Sequence, residues 1–250
     1  MLSEPPIVVL LPHPDDEFAI LPFLEDESRR GRTLHLAWIT NGGYAGMDPA
    51  IRRDESLSAL RLCGVNPASL HFIGMENQLP DGSLHLHMPR AFEALKSALG
   101  DMPTSFELWL PAWEGGHQDH DAVHALGRSW ARSYDTLALE YPLYNGAGLR
   151  GPLFRTLMSL PGKSAQKCRR FDLRALTKVI RTCFCYRSQW RSFVGLLPMV
   201  IAHCVFGGRL TLSKVDLAAP MTKPHDGLLL YERRTSIRWA DFGRAVKDYW

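Results

Sequence analysis

The sequence holds no apolar run long enough to cross a bilayer. Its late apolar stretch, Gly195–Gly207, is broken by Pro198 and His203 and reads as a buried or interfacial segment. No signal peptide is expected, because Met1–Pro6 lacks a basic start and the apolar residues behind it read as a strand. The five cysteines are odd in number and scattered, and Cys183 and Cys185 are separated by one residue rather than two. That excludes a disulfide framework or a zinc knuckle and fits a reducing, cytoplasmic setting. A net charge of only +3, with no recognisable binding module beside the basic residues, argues against nucleic acid. No repeat and no low-complexity tract is present. Glycines that would let a pyrophosphate approach the backbone are missing after the first strand, which disfavours a dinucleotide enzyme.

Present instead is an alternation of strand and helix signals through the first 140 residues, the pattern of an α/β sandwich. Strands are expected at 7–11, 33–39, 70–73, 106–110 and 136–141. Helices are expected at 16–30 (with Pro22 bending it or separating its first turn), 49–63, 90–99 and 121–132, and a basic helix around 166–185. With 46% hydrophobic residues in 250, one domain is expected. Residues 1–150 would be its α/β core and 151–250 a C-terminal extension packed on that core. The amphipathic tail 236–250 would cover the core or lie at a dimer contact.

Two polar packets stand out. Ile7–Leu11 is an unbroken aliphatic run, the mark of a strand buried on both faces, and His13, Asp15, Asp16 and Glu17 follow at once. Buried charge is costly unless paired or bound to a metal, and parallel sheets place ligands beyond the carboxyl ends of their strands. His13 and Asp16 are therefore read as ligands of a divalent metal, with Asp15 working beside it. The second packet runs from Glu114 to Asp121 and offers His117, His120 and His124 as a third ligand. His120, at the helix start, is preferred, although spacing alone does not separate it from His117; His124 reads as a packed helix-face residue. Two histidines and one carboxylate, with a position left for water, form a catalytic rather than a structural zinc pattern, and iron or cobalt suits the same ligands. With Asp16 ligating, Asp15 is free to act as general base on the acidified water. His117 is the expected donor to an oxyanion, and Asp119 a carboxylate that orients a histidine. Glu17 would act locally on first-turn amides. If the sheet winds in the order 3-2-1-4-5, strands one and four are neighbours and the two packets meet.

At these residues the chain resembles the LmbE-like, or PIG-L, family of zinc-dependent N-deacetylases. His13-Pro14-Asp15-Asp16-Glu17 matches the (A/P)HPDDE signature, and Gly116-His117-Gln118-Asp119-His120 matches G-H-x-D-H. Fainter similarities are Arg52–Glu55 with Leu62–Val65, and Lys178 with Tyr186–Gln189. The likeness spans residues 7–190. It implies an LmbE-like fold, that is, a Rossmann-like three-layer α/β sandwich with a mostly parallel sheet. It also implies one zinc per chain on His13, Asp16 and His120, Asp15 as general base, His117 stabilising the tetrahedral intermediate, and Arg52 contacting substrate. The implied reaction removes an N-acetyl group from an N-acetylglucosamine unit that is free, glycosidically linked or lipid-linked. Cys63 and Pro12 depart from the commoner residues, with little expected consequence. Gly151–Gly208 is less family-like, so substrate class is what the resemblance specifies least.

Asn41, Tyr44, Arg52 and Glu114 are the expected substrate-side residues. Trp38, Tyr44, Trp109, Trp113, Tyr141 and Tyr144 gather near strand ends and loops, where flat rings can stack on sugars. Lys163–Arg191 carries nine cations against one acid, Asp172. Lys167, Arg170, Arg174, Lys178 and Arg181 recur at three and four and read as one helical stripe. That stripe predicts attraction to an anionic substrate, or weak peripheral contact with the inner face of the membrane. The competing readings are a deacylase of a longer N-acyl chain or a non-sugar amide, and a non-catalytic metal- or sugar-binding module.

Overall fold

The computed structural model describes residues 4–134 and 136–250; Met1–Ser3, which belong to the expectation of no signal segment, lie outside it. Strand β1 (Ile7–Leu11) is buried at every position, as its aliphatic run requires. Ile7, Val9 and Leu11 enter one core while Val8 and Leu10 enter another on the opposite face of the sheet. A short 3-10 turn at Asp16–Ala19 follows, then α1 (Leu21–Arg29). Of the two forms expected for 16–30, the one with a separate first turn is formed. Pro22 sits in the first turn of α1, where its missing N–H costs nothing.

The first half continues with β2 (Leu34–Trp38), α2 (Pro49–Leu62), β3 (Ser69–His71), α3 (Ile73–Glu76), α4 (Met88–Leu99), β4 (Glu107–Pro111), α5 (Gln118–Ala131) and β5 (Leu137–Tyr141). Helix α5 begins three residues before the expected Asp121, because His117 caps it by accepting from the Asp119 N–H. The second half adds the short pair β6 (Tyr144–Asn145) and β7 (Arg155–Thr156), then β8 (Ala165–Arg170), α6 (Leu173–Cys183), α7 (Trp190–Val205) and β9 (Arg209–Lys214). It closes with α8 (Leu230–Arg234) and α9 (Trp239–Val246).

The described residues form a seven-stranded sheet in the order β3-β2-β1-β4-β5-β9-β8. Strands β1 to β5 run parallel, and β9 and β8 extend the sheet antiparallel. Helices α1, α2, α6 and α7 cover one face, and α4, α5 and α9 the other. The result is a three-layer, mostly parallel α/β sandwich. Its winding reverses between β1 and β4, so the segments after these two strands share one crevice.

The basic helix expected around 166–185 is not formed as one element. Its first third is β8, where Lys167 and Arg169 are half-buried while Gln166, Cys168 and Arg170 are exposed, an alternation of period two. Lys167 Nζ lies 2.9 Å from Glu27 and 2.8 Å from Glu107, and Arg169 pairs with Asp26. Lys178, on α6, pairs with Glu25, and Lys163 lies 2.5 Å from Glu140. The stripe read over Lys167, Arg170, Arg174, Lys178 and Arg181 is therefore broken, because its first two members lie on β8 and acids of the molecule hold Lys167 and Lys178. No helix among the described residues is long and apolar enough to cross a membrane.

Candidate metal centre and pocket

The loop after β1 is clamped from several sides. The Pro12 carbonyl accepts from the Thr40 N–H and hydroxyl, and the Pro14 carbonyl accepts from Arg52 Nε and Nη2 at 3.2 and 2.7 Å. The turn this forces is tight enough to place Asp15 at φ 122°, a region that L-residues rarely adopt. Glu17 holds it there: Oε2 accepts from the Asp15 N–H and from Trp38 Nε1, while Oε1 accepts from the Tyr186 hydroxyl. Glu17 thus acts locally, as expected, and also ties the loop to the C-terminal half. The consequence is that two adjacent carboxylates diverge. Asp16 faces His13 and His120, whereas Asp15 faces Arg52, with Oδ2 3.0 Å from Nη2. Since φ 122° suits glycine alone, Asp15→Gly should be more stable than Asp15→Ala by about 1 kcal/mol, both lacking the carboxylate. Chemical denaturation of the pair measures this.

The loop after β4 meets the first one. Gly116 passes so close to β6 that a Cβ there would overlap the Tyr144 carbonyl oxygen, which accounts for the glycine of the second packet. Asp121 holds the loop by accepting from the Glu114 and Gly115 N–H groups. His120 is buried, with Nε2 3.4 Å from Asp16 Oδ2, and that same oxygen lies 3.0 Å from His13 Nδ1. Bonds of about 2.0–2.1 Å from a tetrahedral zinc separate ligand atoms by roughly 3.3–3.4 Å. His120 Nδ1 has no hydrogen-bond partner among the described residues, an unusual state for a buried polar atom. Of the four acids around these groups, Asp15 and Asp81 pair with Arg52, whereas Asp16 and Asp119 have only histidine and backbone N–H partners. This donor set and charge balance fit a divalent cation.

Two groups of donors have their atoms within 4.8 Å of one another, His13 with His117 and His120, and His13 with Asp81 and Asp119; Asp16 belongs to neither. Their members beyond His13 and His120 have other partners. Asp119 accepts from the N–H groups of Gly82 and Leu84 at 2.5 and 2.9 Å, and Asp81 Oδ2 lies 2.8 Å from Arg52 Nη1. His117 Nδ1 accepts from the Asp119 N–H. Asp16 Oδ2 also accepts from the His13 N–H at 2.9 Å, while His117 keeps Nε2 free, so His13, Asp16 and His120 are the residues that the sequence resemblance, rather than occupancy, assigns to the ion. Asp119 then orients His13, whose Nε2 lies 3.1 Å away, rather than His117.

Electrostatics separates the carboxylates. Burial pushes the Asp15 carboxyl up to about 7, against the pull of Arg52. Burial acts upward on Asp16 too, but His120 and His13 hold it well below the usual carboxylate range. Burial lowers His117 to about 4, so its ring is neutral at physiological pH. With Nδ1 accepting from a backbone N–H, the proton resides on Nε2, and that N–H is the donor left to the pocket.

The pocket encloses about 420 Å³. Besides the polar groups above it is lined by Tyr44, Tyr144, Phe18, Phe154, Phe193, Leu196, Gln189, Arg191 and Arg234. Of the expected substrate-side residues it includes Arg52 and Tyr44 but not Asn41 or Glu114, and both are corrected on physical grounds. Asn41 Oδ1 accepts from the Gly43 and Asp81 N–H groups and shapes its own loop. Glu114 is buried and accepts from the Leu143 and Tyr144 N–H groups and from Asn145 Nδ2, so it positions Tyr144 instead. Trp38, Trp109, Trp113 and Tyr141 are core residues, leaving Tyr44 and Tyr144 at the pocket. His124 is packed, as expected, with Nδ1 2.9 Å from the Pro111 carbonyl. Asp81 was visible in the sequence only as the start of an Asp-Gly turn; its place beside His13, at 3.3 Å, comes from Asp119 anchoring that turn. Arg234 carried no sequence signal, while Gln189 ended the fainter Tyr186–Gln189 motif and Arg191 the basic stretch, neither read as lining a pocket.

Residues 8–131 match the family model described as PIG-L: GlcNAc-PI de-N-acetylase. No curated protein matches the chain in sequence. Among solved structures, a deacetylase of the teicoplanin biosynthetic pathway, as a triple mutant, is 16% identical with TM-score 0.57, covering 84% of this chain and 99% of that one. The zinc-inhibited form of teicoplanin deacetylase is 15% identical with TM-score 0.55, covering 84% of this chain and 98% of that one. N,N'-diacetylchitobiose deacetylase from Pyrococcus horikoshii is 15% identical with TM-score 0.56, covering 84% of each chain. These likenesses agree on the α/β fold.

Proposed function

Residues 8–131 belong to the PIG-L family, and from that premise we propose that the chain is a metal-dependent N-deacetylase acting on an N-acetylated amino sugar. The observation that carries this reading is the divergence of Asp15 and Asp16 at the end of β1. One carboxylate is left for an ion between His13 and His120; the other stands in the pocket with the His117 Nε2–H. The family description and the deacetylases of similar fold support removal of an acetyl group from a sugar nitrogen.

When bound on His13, Asp16 and His120, zinc would polarise an amide carbonyl and bring a water's pKa near neutrality. Asp15 takes the proton as that water's oxygen bonds to the acyl carbon. The His117 Nε2–H donates to the oxygen that becomes negative in the tetrahedral intermediate. The C–N bond then breaks, Asp15 returns the proton to the departing nitrogen, and a carboxylic acid and a free amine leave. Arg52 keeps Asp15 in register by holding both its carboxylate and the Pro14 carbonyl. Tyr44 and Tyr144 offer ring faces to a sugar.

The test is mass spectrometry of products from free, nucleotide-linked and lipid-linked N-acetylglucosamine, at equimolar and at excess zinc, since one deacetylase of this fold is described in a zinc-inhibited form. Loss of one acetyl group from at least one substrate is expected. Metal-loaded protein that cleaves none of them, nor any simple N-acyl amide, would reduce the chain to a metal- or sugar-binding module. A second reading has one observation in its favour: Phe18, Phe193 and Leu196 form an apolar wall to the pocket. A longer N-acyl chain would find room there, and the same products, run with an acyl series, distinguish the two.

A further inference from the structure

Helix α7 is apolar over most of its length, yet only Phe193, Val200 and Cys204 of its residues are buried. Its outward half presents Val194, Pro198, Met199, Ile201 and Val205 to solvent, and Trp190 and Phe206 stand exposed at its two ends. Phe206 is 87% exposed and Val205 66%, values that ordinary surface residues of this type do not share along one contiguous face. Ser192 and Leu196 of the same helix line the pocket, so this face borders the mouth of the candidate active site.

Charge says what covers it. From Tyr141 to Val215 the only acid is Asp172. Once the cations held by internal acids are set aside, Arg170, Arg174, Arg181, Arg187, Arg191 and Arg209 are among those left exposed and without an ion pair among the described residues. Arg191 lies on α7 and Arg187 just before it, Arg174 and Arg181 lie on α6, which packs against α7, and Arg209 and Arg170 are paired on β9 and β8 beyond the C-terminal end of α7. An apolar helix face with aromatic ends and an arginine-rich surround, in which Asp172 is the one acid of the stretch, is the composition of an element that lies in a lipid interface.

We infer that the exposed face of α7, with these arginines around it, docks the chain on an anionic lipid surface and sets the pocket mouth against that surface. The broken stripe of the sequence is thereby replaced by a different surface: the cations that matter are those without acidic partners, and the apolar contribution comes from α7. The inference goes beyond the deacetylase reading and does not depend on it.

The experiment is co-sedimentation of the full chain with phosphatidylcholine vesicles, with and without phosphatidylglycerol, for wild type and the double variant Ile201→Glu/Val205→Glu. Neither position lines the catalytic pocket. Wild type is expected to bind the phosphatidylglycerol vesicles and to be released by salt, and the variant to bind them at least about tenfold more weakly. Release of acetate from a soluble N-acetylated sugar, read in parallel, should be equal in the two proteins. Its absence from both would sink the deacetylase reading alone. Wild type that stays in the supernatant, or a variant that binds vesicles as well as wild type, would overturn the docking inference. So would sedimentation velocity showing wild type as a dimer that the variant dissolves, because the face would then be covered by a second copy.

Discussion

Asp15→Asn is expected to leave metal binding intact and to cut turnover about a thousandfold, with KM nearly unchanged. Asparagine has the volume of aspartate but cannot accept the water's proton, so the loss falls on a step the ground state does not sample. Removal of a carboxylate beside a buried arginine invites a rival explanation, collapse of the loop. Arg52 would still hold the Pro14 and Gly42 carbonyls and Asp81, four bonds that do not involve Asp15. The remaining clamp on the loop, Glu17 on the Asp15 N–H, uses the backbone and survives the substitution. Structural collapse would also reach Asp16, the next residue, and release the ion. Metal content measured beside kcat therefore separates the two. A variant that keeps its metal and turns over within about tenfold of wild type would remove Asp15 from the proton transfer.

Why these groups were legible in the sequence and others were not follows from how far apart the partners lie in the chain. Strand β1 is buried at every position, which leaves an unbroken aliphatic run that needs no partner to be recognised, and β2, β4 and β5 are mostly buried and mostly apolar. The winding order then brings the two polar packets together, so their meeting was predictable from fold alone. The fainter motifs turn out to be two halves of one contact: Glu55 accepts from the N–H and hydroxyl of Ser188, and the neighbouring Tyr186 reaches Glu17. Asp81 was not legible, because nothing near it in the sequence distinguishes it from any turn aspartate. Strand β8 was misread for a related reason. Its cations recur at three and four with those of α6, which mimics a helix, while the period of two that marks the strand becomes clear only from the acids of α1 and β4 that hold Lys167 and Arg169.

Zinc added to chelated protein should raise its unfolding temperature, and His13→Ala should abolish the rise. At a free concentration about a thousandfold above Kd the linkage amounts to about 4 kcal/mol, or about 8–16 °C for a chain of this size, less whatever the unfolded cysteines and histidines bind. His13 belongs to every donor group in the crevice, so its loss removes the ion wherever the ion sits. It does not say which group is used. Asp16 and Asp81 answer that. If the ligands are His13, Asp16 and His120, Asp16→Asn loses the shift and Asp81→Asn keeps most of it. The reverse outcome would place the ion among His13, Asp81 and Asp119 and leave Asp16 as a mere hydrogen-bond partner of His13. The metal-free baseline carries information as well. Asp16, Asp81 and Asp119 converge on one imidazole, so metal-free His13→Ala leaves buried carboxylates without that partner and should itself be less stable by about 3–5 kcal/mol. A variant that loses the zinc shift without that baseline loss would mean that water already solvates the crevice, and that charge crowding is not what draws the ion to it.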